Sequence, residues 1–456
     1  MSDLLSLLSL GAGGIAAQSA GVSVATNNVA NANTRGYTRQ RVDLEALEGI
    51  NRLGGGVRAG DAQRTASNML AARIRTSDGS LEMARAFASA LADVELRLTG
   101  SGATIDEQLG NLFSRMSQVA SMPTDSNMRD AVIAAARDLM SGIRRRATEA
   151  EAAQRESNSR ITDSASRVTS LANELAETNK AIGTSADPVL QDRRDEAARK
   201  LSELVGGQAR IDPDGQMRFV LDGGAVLVDG IHASALEATP DPITGLATLA
   251  DVDGASRRDD TSDIAGGSLG AELMFRDQTM TGVVDQLDQL AYDVATSVNT
   301  IHSANAGLDG VSGRPMFTPL AGVAGAAQAI EVDPLLIADN KRLATAAPGT
   351  GPGNNAGALA LFGRATGKVA SGGPRTLGDA ALDVIAGVAM AHADAKAAVG
   401  RDEIVADHLA GLRDSVSGVD IQEEMTNLAR FEHASSAMVK FVSTIDDMLG
   451  SLIAQL

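Results

Sequence analysis

The forty residues SGVDIQEEMTNLARFEHASSAMVKFVSTIDDMLGSLIAQL, 417–456, decide how this chain is read. After Gly418 they contain no proline and only Gly450 to weaken a helix. Apolar side chains fall at Leu428, Phe431, Met438, Val442, Ile445, Leu449, Leu452 and Leu456, stepping by threes and fours, with Ser435 as the polar member. A repeat of this kind keeps one stripe of a helix facing a partner, which is the seam of a coiled coil. From Ile421 the helix extends about 54 Å at 1.5 Å per residue. A helix that long, running to the end of the chain, needs a partner outside a compact core.

Composition narrows the candidates. The chain has 456 residues, enough for two or three domains, yet aromatic residues make up 2% of it and Trp is absent. Large enzyme cores use more aromatic side chains, whereas abundant Ala, Leu, Val and Gly suit helices packed through small residues. The formal net charge is −18, from 58 acidic and 40 basic residues, which argues against nucleic acid as a partner. Without cysteine there can be no disulfide, thiol nucleophile or thiolate metal site. The first basic residue is Arg35, so the leucines at 4, 5, 7, 8 and 10 do not form a cleavable secretory signal. No run of 18 apolar residues occurs, and no membrane insertion is expected. Export, if it occurs, must use a route without a cleaved signal.

Residues 3–33 read as a slender helix with Leu8, Ile15, Val22 and Val29 spaced by sevens and small residues between them. Gly11, Gly13, Gly14 and Gly21 each cost an isolated helix about 1 kcal/mol, so this segment is expected to order only against a partner. The stretch TNNVANANTRGYTRQ, 26–40, ends it: Asn27, Asn28, Asn31 and Asn33 suit a terminating helix, and Gly36 a sharp turn. Residues 42–66 read as weakly extended, with Gly54–Gly56 as a turn. Helical patterning resumes near Leu81 and again from Ile105, and after Pro123 a very long helix runs from Met128 to Ile182, with a polar and looser centre over 144–166. A short helix over 188–204 follows. Between Val205 and Gly267, DPDG and DGG separate short apolar runs, which signals β-hairpins. Heptads return at Met280, Val283, Leu287, Leu290, Val294, Val298 and Ile301; 306–375 is loop-rich, and a helix covers 377–415.

Chemistry is hard to find. The histidines His232, His302, His392, His408 and His433 form no metal-binding pair and read as surface or helix-face residues. No phosphate-binding loop or nucleophile elbow is present. Asp212, Asp214 and Gly215 resemble the start of a calcium loop, but Gly223 stands where its glutamate belongs, so a hairpin turn is the better reading. The expectation is no catalytic residue, no cofactor and no metal.

The 26–40 stretch, SGVDIQEEM at 417–425 and the helix after it resemble the axial-protein family of the bacterial flagellum, which comprises rod, hook and hook-associated proteins. GGSLGAELMFRD at 266–277 and VNTIHSANAGLDGVSGRPMF at 298–317 narrow the resemblance to the hook-associated branch. Arg35 stands where the family usually has Pro, and EHASSA at 432–437 replaces a QQAYQA-like stretch, so that Ser435 takes the place of an aromatic. The resemblance implies a structural subunit at the junction of hook and filament, exported by the flagellar type III apparatus. It implies four partners: copies of itself in a ring, the hook subunit, the second junction protein, and a cytoplasmic chaperone on the C-terminal helix. The competing readings are another axial protein of the same family, such as the hook subunit or the second junction protein, an enzymatic insert at 205–267, and a cytoplasmic coiled-coil adaptor.

The expected fold is mainly α with a small β domain. A terminal coiled coil of 1–40 and 417–456, unordered in the monomer, joins a long-helix bundle of 41–204 and 268–416, and 205–267 forms an inserted β-rich outer domain. Asn27, Asn28, Asn31, Asn33, Gly36 and Tyr37 are expected to shape the turn of the inner tube. Leu428, Phe431, Met438, Val442, Ile445, Leu449 and Leu452 are expected to face the N-terminal helix.

Overall fold

A computed structural model describes residues 2–34, 36–48, 55–100, 102–183, 187–254 and 256–454. Arg35, Gly54 and Leu456 lie outside them. Helix α1 (Ser2–Asn31) is followed by an antiparallel hairpin, β1 (Gln40–Ala46) and β2 (Val57–Arg64). Helices α2 (Asn68–Thr99), α3 (Ile105–Ser121), α4 (Ser126–Ile182) and α5 (Pro188–Val205) come next. Strands β3 (Gln208–Ile211), β4 (Met217–Val220), β5 (Val226–Asp229) and β6 (His232–Ala233) form one sheet in that order. A second sheet contains β7 (Ala235–Pro240), β8 (Ala247–Asp253) and β9 (Ser256–Asp259). Helix α6 (Gly267–Met274) runs through a π-helical turn, Phe275–Met280, into α7 (Thr281–Ala304). Short helices α8 (Ala326–Ala329), α9 (Pro334–Ala338) and α10 (Ala356–Phe362) and the hairpin β10 (Lys368–Ala370)–β11 (Arg375–Thr376) occupy the loop-rich stretch. Then α11 (Leu377–Ser417) and α12 (Ile421–Ala454) close the chain.

Helix α4 is the spine. Its 57 residues are unbroken and extend about 86 Å, and Asp125 caps its start by accepting from the Met128 amide at 3.0 Å. The first half carries Val132, Leu139 and Ile143 into a core shared with α2, α3, α7 and α11. The second half carries Ile161, Val168 and Leu175 into another core, shared with α5, α6 and the strands. The small sheets have no second layer of their own, so α4 and α5 supply it. Asn179 fixes the docking: its amide donates to the carbonyls of Met217 and Gly230 at 2.8 and 2.7 Å, and its oxygen accepts from the Met217 amide.

Several local expectations change. The centre of α4 is packed, not loose, because Ala147, Ala150 and Ala153 are buried and Arg146 turns inward to the carbonyls of Leu98, Gly142 and Ala103. Helix α2 starts at Asn68, well before Leu81, where Ser67 caps the first turn by accepting from the Leu70 amide; at Gly79 a β-carbon would sit 2.6 Å from the Ser202 carbonyl, so α2 and α5 touch through backbone. The π-helical turn left no trace in the heptad pattern. The calcium-loop mimic is a turn between β3 and β4, with the Gly215 amide donating to Asp212 and the Gln216 amide to the Asp214 carboxylate. By length and composition α1 over Leu4–Asn31 could cross a membrane, with a mean hydropathy of 1.3, a property hidden from a search for unbroken apolar runs by its Gly, Ser and Ala.

His302 is a core residue, not a surface one. It is 1% exposed, its Nδ1 donates to the Arg314 carbonyl at 2.7 Å and its Nε2 accepts from the Ala344 amide at 3.0 Å, which fixes the neutral tautomer. Nearby Arg129, fully buried, gives its guanidinium to Pro123, Asn340, Lys341, Leu343 and Thr345, so the loop 340–345 is held from both sides. Burial pushes the His302 pKa down to about 4. The fold therefore binds fewer protons here than the unfolded chain between about pH 6.5 and 4: the contribution is complete above 6.5 and is lost as pH falls through that window. The shift corresponds to on the order of 3 kcal/mol. His302→Gln is expected to flatten the fall in thermal stability between pH 7 and 4.5 relative to the parent, measured by calorimetry; equal slopes would exclude this role.

Candidate assembly interface of the terminal helices

The two ends of the chain pair with one another. The face of α1 turned toward α12 is not the Leu8–Ile15–Val22–Val29 stripe, which is half-buried, but Gly11, Gly14, Ala17, Gly21, Ala25 and Asn28. These step by threes and fours, so they form a seam made of the smallest side chains. The absence of bulk is what admits the larger side chains of α12. A β-carbon at Gly11 would lie 2.5 Å from Val442 Cγ2, at Gly14 2.9 Å from Met438 Cε, and at Gly21 2.7 Å from the Phe431 ring. Gly11, Gly14 and Gly21 are thus notches, each filled by one residue of the α12 heptad, whereas Gly13 faces the Val57 carbonyl of β2. Of that heptad Ile445 is buried, Leu428, Phe431, Ser435, Met438, Val442 and Leu449 are half-buried, and Leu452 is exposed.

At the base of the pair the Asn-rich stretch folds into a polar hub. Asn28 is fully buried and uses both ends of its amide: Nδ2 donates to the Gln40 carbonyl at 2.8 Å and to Glu424 Oε2 at 3.0 Å, while Oδ1 accepts from the Gln40 amide and the Tyr37 hydroxyl. Arg39 grips Glu423 in a bidentate pair and reaches Glu424 at 2.7 Å, and its amide donates to the Ser417 carbonyl. Asp420 accepts from the amides of Gln422 and Glu423 and so starts α12 just after α11 ends. The Thr38 amide donates to Asp192 of α5, which together with Asp195 also holds Arg64 of β2. Burial and the carboxylates of Asp192 and Glu424 push the Tyr37 pKa up to about 12, so its hydroxyl remains a donor at any physiological pH.

The other Asn-rich positions act locally. Asn31 donates to the carbonyl and side chain of Asn27, one turn back, while Asn33 lies exposed in the turn. Gly36 has φ of 87°, the left-handed conformation that favours glycine. The partners that sequence reasoning missed are Glu424, at 3% exposed, and the small-residue seam itself. The signal for both was present: an Asn twelve residues before Gln40, an EE pair at the head of a heptad helix, and glycines at heptad rather than random spacing. Among the described residues no group of acidic and histidine side chains is arranged to hold a metal.

A hub that joins the first helix to the last, above a helical domain, is an arrangement that can be compared. The model of the flagellar hook-associated protein FlgK helical domain matches residues 91–317, and that of the flagella basal body rod protein matches 8–38. The chain belongs to the flagellar hook-associated protein 1 family. It is 27% identical to flagellar hook-associated protein 1 of Bacillus subtilis, over 96% of each chain. With the protein of that name from Escherichia coli it is 26% identical over 68% of this chain, and spans 60% of that relative's length. The flagellar hook junction protein FlgK from Burkholderia pseudomallei has the same fold, with a TM-score of 0.68 at 17% identity over 77% of this chain and all of that one.

Within this family the rod-protein match covers α1 from Leu8 and runs through Asn28 and Tyr37 to Thr38, and the helical-domain match, 91–317, contains all of α4, so both the notches of α1 and the spine lie in matched sequence. The notches make the pairing testable. Gly21→Val is expected to expose α1 and α12 to limited proteolysis without lowering the melting temperature of the helical domain. Gly450→Ala, where nothing lies within 4 Å, is expected to slow cleavage of α12, since it gains about 1 kcal/mol of helix propensity. Unchanged proteolysis of Gly21→Val would rule out the notch contact.

Proposed function

We propose that this chain is a structural subunit joining hook and filament of the bacterial flagellum, assembled through its terminal helices. The family is one of external flagellar structural proteins. One observation carries the finer reading: after α1 and α12 have paired, apolar side chains remain on their outer surfaces. Met425, Val439 and Ile453, at 49%, 53% and 66% exposed, lie two heptads apart on α12. Leu8, Ile15, Val22 and Val29 add a half-covered stripe on α1. A two-helix unit with a second apolar stripe needs further helices, and neighbouring copies supply identical ones.

On this reading 1–40 with 417–456 is the assembly module, 41–204 with 268–416 the helical body and 205–267 an outer insert. The module orders fully only in the assembly. Copies of this chain form the ring, with the hook subunit on one side and the second junction protein on the other. Before export through the flagellar type III apparatus, without a cleaved signal, a cytoplasmic chaperone shields the α12 stripe. The hub residues Asn28, Tyr37, Arg39 and Glu424 hold the module at a set angle to α5.

Replacing Val442 and Ile445 by Asp buries two charges at the α1 seam. The double variant is expected to keep the parent's melting transition for the helical body and to lose motility, with filament subunits shed into the medium. Normal swimming with an intact junction would refute the assembly role. Localisation of a tagged chain along the whole hook, instead of at its distal end, would identify it as a different axial subunit.

A further inference from the structure

A groove of about 860 Å³ lies away from the terminal pair, between the first half of α2, strand β3 and the C-terminal half of α11. Its apolar lining is open to solvent: Met69 is 76% exposed, Ile404 73% and Val405 49%. Its charge runs against that of the chain. Arg73, Arg75 and Arg210 line it against the single acid Asp402, in a protein of formal net charge −18. Arg75 donates through Nη2 to the Ala209 carbonyl at 3.3 Å and is 6% exposed, yet its buried Nε has no acceptor. The groove thus offers apolar surface and positive charge.

The complementary surface is on the same sheet. With strand order β3-β4-β5-β6, β3 and β6 are its two edges, about 14 Å apart at the usual strand spacing. At the β6 edge the turn between β5 and β6 projects Ile231, 47% exposed. At that end of the sheet stand Asp212, Asp214 and Asp229, with Arg218, which pairs with Asp212 and Asp229, as the one cation of 212–231.

We propose that the groove at β3 receives the Ile231 turn of a second copy of this chain. Because groove and turn sit on opposite edges of one sheet, the contact is head-to-tail: each copy gives its turn to one neighbour and its groove to the other, which closes into a ring or winds into a helix. This rests on the reading that the chain assembles with itself, and adds the outer surfaces through which copies meet. Apolar side chains fill the cleft, and the acidic flank of the turn faces the arginines.

The chain's lack of cysteine allows a direct test. Cells carrying the double variant Ile231→Cys, Ile404→Cys are oxidised mildly, and axial structures are sheared off and run on non-reducing gels beside the parent and both single variants. The expected result is a ladder at multiples of 46.7 kDa from the double variant alone. Exclusion of a single variant that melts like the parent also supports the contact, since both side chains are exposed in the isolated chain. Incorporation with only a monomer band overturns this contact and leaves self-assembly standing. A band at another mass assigns the groove to a different protein and overturns the second-copy occupant. Absence of the parent itself from the axial fraction overturns the assembly reading and this inference with it.

Discussion

Everything at the ends of this chain depends on one steric fact: α1 has no side chains where α12 has its largest. Phe431, Met438 and Val442 occupy the space that β-carbons at Gly21, Gly14 and Gly11 would fill. Each glycine lowers the intrinsic stability of α1, by about 1 kcal/mol, and each is also what lets a partner helix come close. The two effects have opposite signs and act in different states, since an unpaired α1 carries the cost without the contact. A helix with this composition is formed by its partner.

The polar hub determines where that pairing begins. Asn28 is the only seam position of α1 with hydrogen-bonding capacity, and it is buried with four partners on the chain's turn and on α12. A one-residue slip of α1 against α12 would break the buried Asn28–Glu424 hydrogen bond, at about 1–3 kcal/mol. The apolar notches favour closeness and the hub selects a single register. Through Thr38 and Arg64 the same hub is tied to Asp192 on α5, and α5 shares a core with the second half of α4. The terminal pair is therefore connected to the 57-residue spine through polar contacts that a rigid body can transmit.

The sequence made the long helices, the heptad of α12 and the change to hairpins after Val205 readable, because each is written as apolar period and turn residues. It concealed what depends on close backbone approach or inward-turned charge. Gly79 against Ser202, the glycine seam of α1, and the buried guanidinium groups of Arg129 and Arg146 all looked like weak or polar positions. His302 looked exposed for the same reason, since its partners are carbonyl and amide groups from a loop with no periodicity. At the candidate interface the large residues were legible, whereas their small counterparts and Glu424 emerged only once the two ends were brought together.

The central claim is that α1 and α12 are completed by neighbouring copies. Amide hydrogen exchange, compared between the isolated chain and sheared axial structures, addresses it most directly. The account predicts that 2–34 and 421–454 exchange far faster than the bundle half of α4 in the isolated chain and become comparably protected on assembly. Termini as protected as α4 in the isolated chain, and unchanged in the assembly, would contradict it.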